Sequence, residues 1–209
     1  GAKPATVLRW LALYQNGGLS ALIDRRGHVA SQATRQRRGA PPTKALAPRR
    51  NTGRKALSFV KWVGSKARVM PQLLDVMPTH YKTYYEPMVG SGTVFLSLAP
   101  NRAVLGDANA ELMNCYEVIR DHLDKLIAAL RAHENTYDHF IAVRAQDVES
   151  LQPIKRAART IYLNKTCFNG LYRLNRSGRF NVPYGNMPNA NYCDVDALQR
   201  ELTVRCSRR

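Results

Sequence analysis

The chain has 209 residues, 44% of them hydrophobic, and a formal net charge of +17. That length holds one domain with a small second element, and no apolar run approaches a membrane span. The charge points to a polyanionic partner, but it is uneven: residues 1–55 carry 12 Lys/Arg against the single acid Asp24, so a solvated basic tail would account for most of the excess.

In chain order, residues 1–27 read as a small helical unit. Val7, Leu8, Leu11 and Tyr14 recur at helical spacing, Gly17-Gly18 ends that helix, and Leu19, Leu22 and Ile23 begin another. The string from Thr6 to Gly27 resembles part of the helix-turn-helix region of transposase-type proteins, as a fragment too short to bury a core of its own. Residues 28–58, with Pro41-Pro42, Pro48 and many cations, have the composition of a basic disordered linker.

The folded part is expected to begin near Ser58. Phe59 to Lys66 reads as a short strand turning at Gly64. Ser65 is placed to cap a helix through Met77, with Val69, Leu73, Val76 and Met77 on its apolar face and Pro71 in its first two turns. Tyr84 to Val89 reads as a strand, Gly90 and Gly92 as a tight turn, and Thr93 to Leu98 as the start of a helix. Such a turn is a ligand cradle, because glycines let the backbone approach a ligand and helix-start N–H groups favour an anion. An ordinary β-turn-α corner has the same look. A dinucleotide is disfavoured, since Phe95 stands where the third glycine belongs, and no Gly-Lys-Ser/Thr phosphate loop follows. A cofactor offering a carboxylate and a ribose without phosphate fits better. Ala103 to Gly106 reads as a second strand ending in Asp107, an acid placed to accept from ribose hydroxyls.

Asn109 can cap a long amphipathic helix bearing Leu112, Tyr116, Ile119, Leu123, Leu126, Ile127 and Leu130 on one face. Asp138–Asp147 and Ile154–Phe168 read as two more helices. Leu171 to Gly185 then looks like a hairpin turning at Asn175–Gly178, with Arg173, Arg176 and Arg179 interleaved with Tyr172, Phe180 and Tyr184. Arginines of this kind hold phosphates or guanine edges, and flat rings stack on bases; a solvated surface hairpin is the alternative. Leu202–Cys206 is a short strand candidate. Cys115, Cys167, Cys193 and Cys206 form no CxxC pair, so free thiols of a cytoplasmic chain, without bound metal, are expected.

Six stretches stand together in order: Lys61-Trp62-Val-Gly-Ser-Lys66; Glu86-Pro-Met-Val-Gly90-Ser-Gly92; Gly106-Asp107-Ala-Asn109; Tyr162-Leu-Asn-Lys165; Asn169-Gly-Leu171-Tyr-Arg173; and Gly178-Arg-Phe-Asn-Val-Pro183-Tyr-Gly185. In order and spacing they resemble the Dam-type (D12 class) adenine-N6 DNA methyltransferases, from about Phe59 to Gly185. The resemblance implies an α/β, Rossmann-like, S-adenosylmethionine-dependent domain with an incomplete sheet and a helical and hairpin DNA-recognition insert. It divides the chain into a cofactor part at 59–134, a recognition insert at 135–195 and the start of a catalytic half at 196–209. It implies that Trp62 and Lys66 line the cofactor pocket, that Glu86, Gly90 and Gly92 shape it, and that Asp107 binds on the ribose side. It also implies that Lys61, Asn169, Leu171, Arg173 and Pro183 contact duplex DNA, and that Phe168 wedges into the opened duplex. Met88 stands where the family usually has Phe, an apolar swap.

The family holds the flipped adenine's amine with Asp-Pro-Pro-Tyr. That string does not occur in these 209 residues, where the one Pro-Pro is Pro41-Pro42 and Asn181-Val-Pro-Tyr184 belongs to the recognition region. The expectation is therefore a monomeric chain truncated before its catalytic motif, marginally stable and without turnover, with no catalytic residue assigned. A non-catalytic basic DNA-binding protein is the competing expectation, and a transposase accessory protein ranks last.

Overall fold

The structure, a computed structural model, describes residues 58–203. The expected helical fragment, the basic linker and the last residues of the strand candidate at Leu202–Cys206 lie outside them. The described residues fall into two compact units, Arg68–Tyr81 and the larger one made of 58–67 with 82–203. The smaller carries α1 (Met70–Val76), with Pro71 in its first turn, where a missing N–H costs least, and Leu73 buried.

In the larger unit, β1 (Tyr84–Glu86) pairs in parallel with β2 (Ala103–Leu105), Tyr85 lying opposite Val104. The connection between them is α2 (Thr93–Leu98). The first strand is shorter than its apolar run because Pro87 has no N–H to give. The pairing nevertheless continues as single bonds, from Gly106 N–H to Glu86 O and from Val89 N–H to Gly106 O, both 2.9 Å. Next come α3 (Ala110–Arg131), α4 (Tyr137–Ala145), α5 (Pro153–Thr166) and α6 (Val195–Thr203). The apolar stripe read from the sequence is the buried face of α3: Leu112, Ile119, Leu126 and Leu130 are all shut off from solvent, and Asn109 accepts from Leu112 N–H as the cap. The helix kinks at His122. It packs along α5 and α6, and with Phe59, Val60 and Val89 forms the first apolar cluster. Phe140, Val143, Tyr162, Leu163, Phe180 and Val182 form a second.

Two expectations are corrected and a third is refined. Phe59 to Lys66 is an irregular segment, not a strand. Phe59 and Val60 are both buried, which the alternation of a strand facing solvent on one side forbids. In place of a neighbouring strand, the Asn164 amide accepts from Lys61 N–H at 2.7 Å and donates to Lys61 O at 2.8 Å. Ser65 caps the helical stretch as expected, its hydroxyl accepting from Ala67 N–H at 3.4 Å, but the first turn, Lys66–Val69, is 3-10 and α1 proper starts at Met70. Leu202 belongs to α6, whose first turn is held by Asp194 accepting from Ala197 N–H at 3.0 Å.

Residues 171–185 do form a hairpin, but as isolated antiparallel bridges, Leu174↔Phe180 and Cys167↔Tyr184, rather than continuous strands. Its turn lies where the sequence places it. Asn175 Oδ1 accepts from the N–H groups of Ser177 and Arg179, and Gly178 N–H closes on Asn175 O.

Candidate nucleotide cradle and DNA-facing hairpin

The turn after β1 brings the expected cofactor residues together. Gly90 has a left-handed φ of 53°, and a Cβ there would meet Trp62 Cδ1 at 3.2 Å. Glycine therefore lets the indole lie directly against the backbone. Asp107, just past β2, accepts from Gly90 N–H and from Asn109 N–H, both at 3.0 Å. One carboxylate thus ties the turn to the entrance of α3. Tyr116, reaching from α3, donates to Gly90 O at 2.9 Å. Ser91, Thr93 and Ser65 form a hydroxyl chain behind the turn.

Lys66 crosses the mouth of this cradle. Its ammonium donates to Met88 O at 2.9 Å and lies 3.2 Å from Glu86 Oε1. Glu86 is 5% exposed. Its Oε2 accepts from Tyr84 at 2.8 Å, while Oε1 has the Lys66 charge beside it but no well-directed hydrogen bond. Burial pushes the Glu86 carboxyl up from its ordinary range, and Lys66 opposes that rise. Gly92 donates to Val89 O and precedes α2, a helix of only six residues. Within the turn itself, the Gly90 N–H is taken by Asp107. The cleft between Trp62–Lys66 and Val89–Thr93 holds about 10 Å³, far below the roughly 300 Å³ of a small-molecule site.

The residues expected to meet DNA gather around the end of α5. Asn164, fully buried, donates to Gly170 O at 2.9 Å as well as holding Lys61. Gly170 packs so closely on Lys61 that a Cβ would lie 2.6 Å from Lys61 Cβ. Phe168 is 51% exposed, and its N–H donates to Pro183 O at 2.9 Å. Asn169 beside it has a left-handed φ of 55°. Leu171 packs against the second cluster. Arg173 is exposed, but its guanidinium is engaged within the hairpin, donating to Asn181 Oδ1 at 2.8 Å and to Asn181 O at 3.3 Å. A roomier cavity of about 430 Å³ opens beside Lys61, with Lys165, Asn186, Asn191 and Asp194 in its wall.

The hairpin and the cradle meet: the Tyr172 ring lies 5.1 Å from that of Trp62. Asn164 and Tyr116 join the candidate site without having been singled out for it in the sequence, where Tyr116 was read only as part of an apolar helix face; Tyr172 was read as a ring able to stack on bases, and its contact with Trp62 is what the structure adds. Asn164 stands inside one of the six motifs, which was the available signal. Among the described residues no group of three or more His, Cys, Asp or Glu is arranged to hold a metal ion.

The model for the D12 class N6 adenine-specific DNA methyltransferases matches residues 62–203, past Gly185, where the resemblance read from the motifs ended. The Type II methyltransferase M1.LlaDCHI of Lactococcus lactis subsp. cremoris is 37% identical over 147 residues, covering 68% of this chain and 52% of its own. The Type II methyltransferase M.MjaIII of Methanocaldococcus jannaschii is 34% identical over 175 residues, covering 71% and 61%. The DNA adenine methylase of Haemophilus influenzae is 35% identical over 132 residues, covering 61% and 46%. The chain thus spans about half to three-fifths of these relatives. The parallel pair β1–β2 with flanking helices is compatible with a fold of this kind.

Proposed function

The chain belongs to the D12 class of N6 adenine-specific DNA methyltransferases, and from that premise we propose that it supplies the cofactor cradle and DNA grip for methylating adenine N6 in duplex DNA. S-adenosylmethionine, the donor proposed here, carries a sulfonium-bound methyl group that a nitrogen can take. The donor set suits it. Asp107 is an acceptor for ribose hydroxyls, Trp62 is a flat wall for a purine, and Lys66 is a cation for a carboxylate. Glu86 offers a buried oxygen lacking a directed donor, suited to an ammonium group. Gly90 and Gly92 keep the turn thin enough for approach. Phe168, half exposed at the end of α5, would wedge into the duplex. Lys61, Asn169, Leu171, Arg173 and Pro183 would read or hold the DNA around it. Arg173 would exchange Asn181 for a base edge or phosphate. In this reading the sheet is the start of a Rossmann-like domain, 135–195 is the recognition insert, and the chain works as a monomer in the cytoplasm. No residue is assigned to the amine itself.

The observation that carries the proposal is the convergence of Trp62, Gly90 and Asp107 within direct contact, with the hairpin's Tyr172 packed on the outer side of Trp62. Photocrosslinking with tritiated S-adenosylmethionine tests it. Label should enter the chain, be competed by S-adenosylhomocysteine, and fall sharply in Trp62→Ala. Absence of competable label would instead favour a basic DNA-binding protein without cofactor.

A further inference from the structure

Trp62 and Tyr172 belong to different parts of the packing. Trp62 lies against the first apolar cluster and Tyr172 against the second. Among the described residues, theirs is the ring pair that joins the two, with centroids 5.1 Å apart and planes inclined at 33°. On its other side Tyr172 meets Phe180 edge-on at 5.9 Å, and Phe180 is bridged to Leu174 across the hairpin. A continuous stack therefore runs from the Gly90 turn through Trp62 and Tyr172 to the hairpin core. A second thread starts at the phenol. Burial raises the Tyr172 hydroxyl above its ordinary range, and the Asn109 side chain is near enough to oppose that rise. Asn109 in turn holds Asp107 through its N–H, and Asp107 holds Gly90.

We propose that Tyr172 is a positioning residue that couples occupancy of the cradle to the setting of the DNA-facing hairpin, so that each ligand tightens the other. The inference rests on the functional reading above. Its physical basis is the narrowness of the cleft. The cleft lined by Trp62, Lys66 and Gly90 holds about 10 Å³, so a ring seated against Trp62 shifts the indole, and Tyr172 is one of the groups on which the indole rests. Close-packed side chains move between discrete arrangements instead of yielding smoothly. Tyr172 lies between Leu171 and Arg173, and the Arg173 carbonyl accepts from Asn181 N–H at 3.1 Å. A shift of the ring is therefore delivered to Leu171 and Arg173, two of the residues expected to meet DNA. Linkage requires the effect to be reciprocal.

The test is calorimetry of S-adenosylhomocysteine on the full chain, with and without a saturating adenine-containing duplex, for the native protein, Tyr172→Phe and Tyr172→Leu. In the native protein, duplex should tighten the nucleoside on the order of tenfold, and the nucleoside should tighten duplex by the same factor. Tyr172→Leu should bring both factors close to one while changing the binary affinity by less. Tyr172→Phe, which keeps the ring, should retain most of the coupling. Native coupling in the Leu variant would overturn the proposal. A second readout leaves Tyr172 in place. In a Trp10→Phe background, where Trp62 is the remaining tryptophan, duplex alone should change the Trp62 emission, and unchanged emission at saturation would also overturn it. If no nucleoside binds in any state, the cofactor reading fails, while the emission measurement still judges the contact between Trp62 and Tyr172.

Discussion

Asn164 holds two distant pieces of chain at once. Its amide accepts from Lys61 N–H and donates to Lys61 O and Gly170 O, and it is fully buried. Removing it strands three backbone groups, each with a desolvation cost. Asn164→Ala should therefore lower the stability of the fold by about 2–4 kcal/mol, read from the midpoint of urea unfolding. Asn164→Leu, which fills the volume but bonds nothing, should be no better. A loss below about 0.5 kcal/mol, the scale of a featureless surface change, would show that water or other groups satisfy those three atoms. The role of Asn164 was not legible beforehand, because it depends on a partner 103 positions away. Asp107 and Gly90 were legible, because a strand, a glycine turn and an acid after the next strand are local patterns with a local meaning.

Between elements, α5 secures the end of α4 with a buried arginine. Arg159 donates from Nε to Val143 O at 3.0 Å and from a terminal nitrogen to Arg144 O at 2.9 Å. These are carbonyls of the last turn of α4, which a cation also favours electrostatically. Arg159→Met keeps much of the volume and loses both bonds; a destabilisation of about 2–4 kcal/mol is expected, again from urea unfolding. The neighbouring ring cluster carries a pH dependence. His133 shares a 2.9 Å hydrogen bond with His139 and stacks on Tyr162 at 4.4 Å. Burial, with His139 adding to it, pushes His133 down to about 4. The unfolded chain therefore binds this proton more readily, so the contribution is full above the ordinary histidine range near 6.5 and is lost as pH falls toward 4. Allowing for solvent screening of the partly exposed ring, the loss is on the order of 1–2 kcal/mol. Comparing unfolding at pH 7 and pH 4.5 should show it, and His133→Gln should flatten that part of the profile. An unchanged profile in the variant would remove His133 from the explanation. Of the elements, α3 was readable from its period and cap, and α4 and α5 were read with bounds close to those observed. The segment from Phe59 to Lys66 was not, because its apolar residues face two sides and a side chain replaces its sheet partner. The start of α6 carried a cap signal in Asp194, whose meaning was obscured by the polar stretch before it.

Across the whole chain, the excess of positive charge sets how DNA binding should respond to salt. Arg176 and Arg179 are exposed on the hairpin, and neither has a carboxylate partner among the ion pairs of the described residues. If both meet phosphates, replacing them with glutamine should flatten the slope of log affinity against log salt by about 2 and leave nucleoside binding alone. A slope equal to that of the native chain would place them in solvent. The charge asymmetry and the six ordered motifs were plain in the sequence. The two apolar clusters and the ring pair that joins them were not, because they arise from packing between α3, α5 and the hairpin. The claim on which all of this depends is that the turn at Gly90, with Trp62 and Asp107, receives a methyl-donor nucleoside. Titration calorimetry of S-adenosylhomocysteine into the native chain and into Asp107→Ala tests it most directly. Saturable binding in the native chain, weakened at least about tenfold in the variant through loss of a charged hydrogen-bond acceptor, is the predicted result; no binding to the native chain, or equal affinity in both, would contradict it.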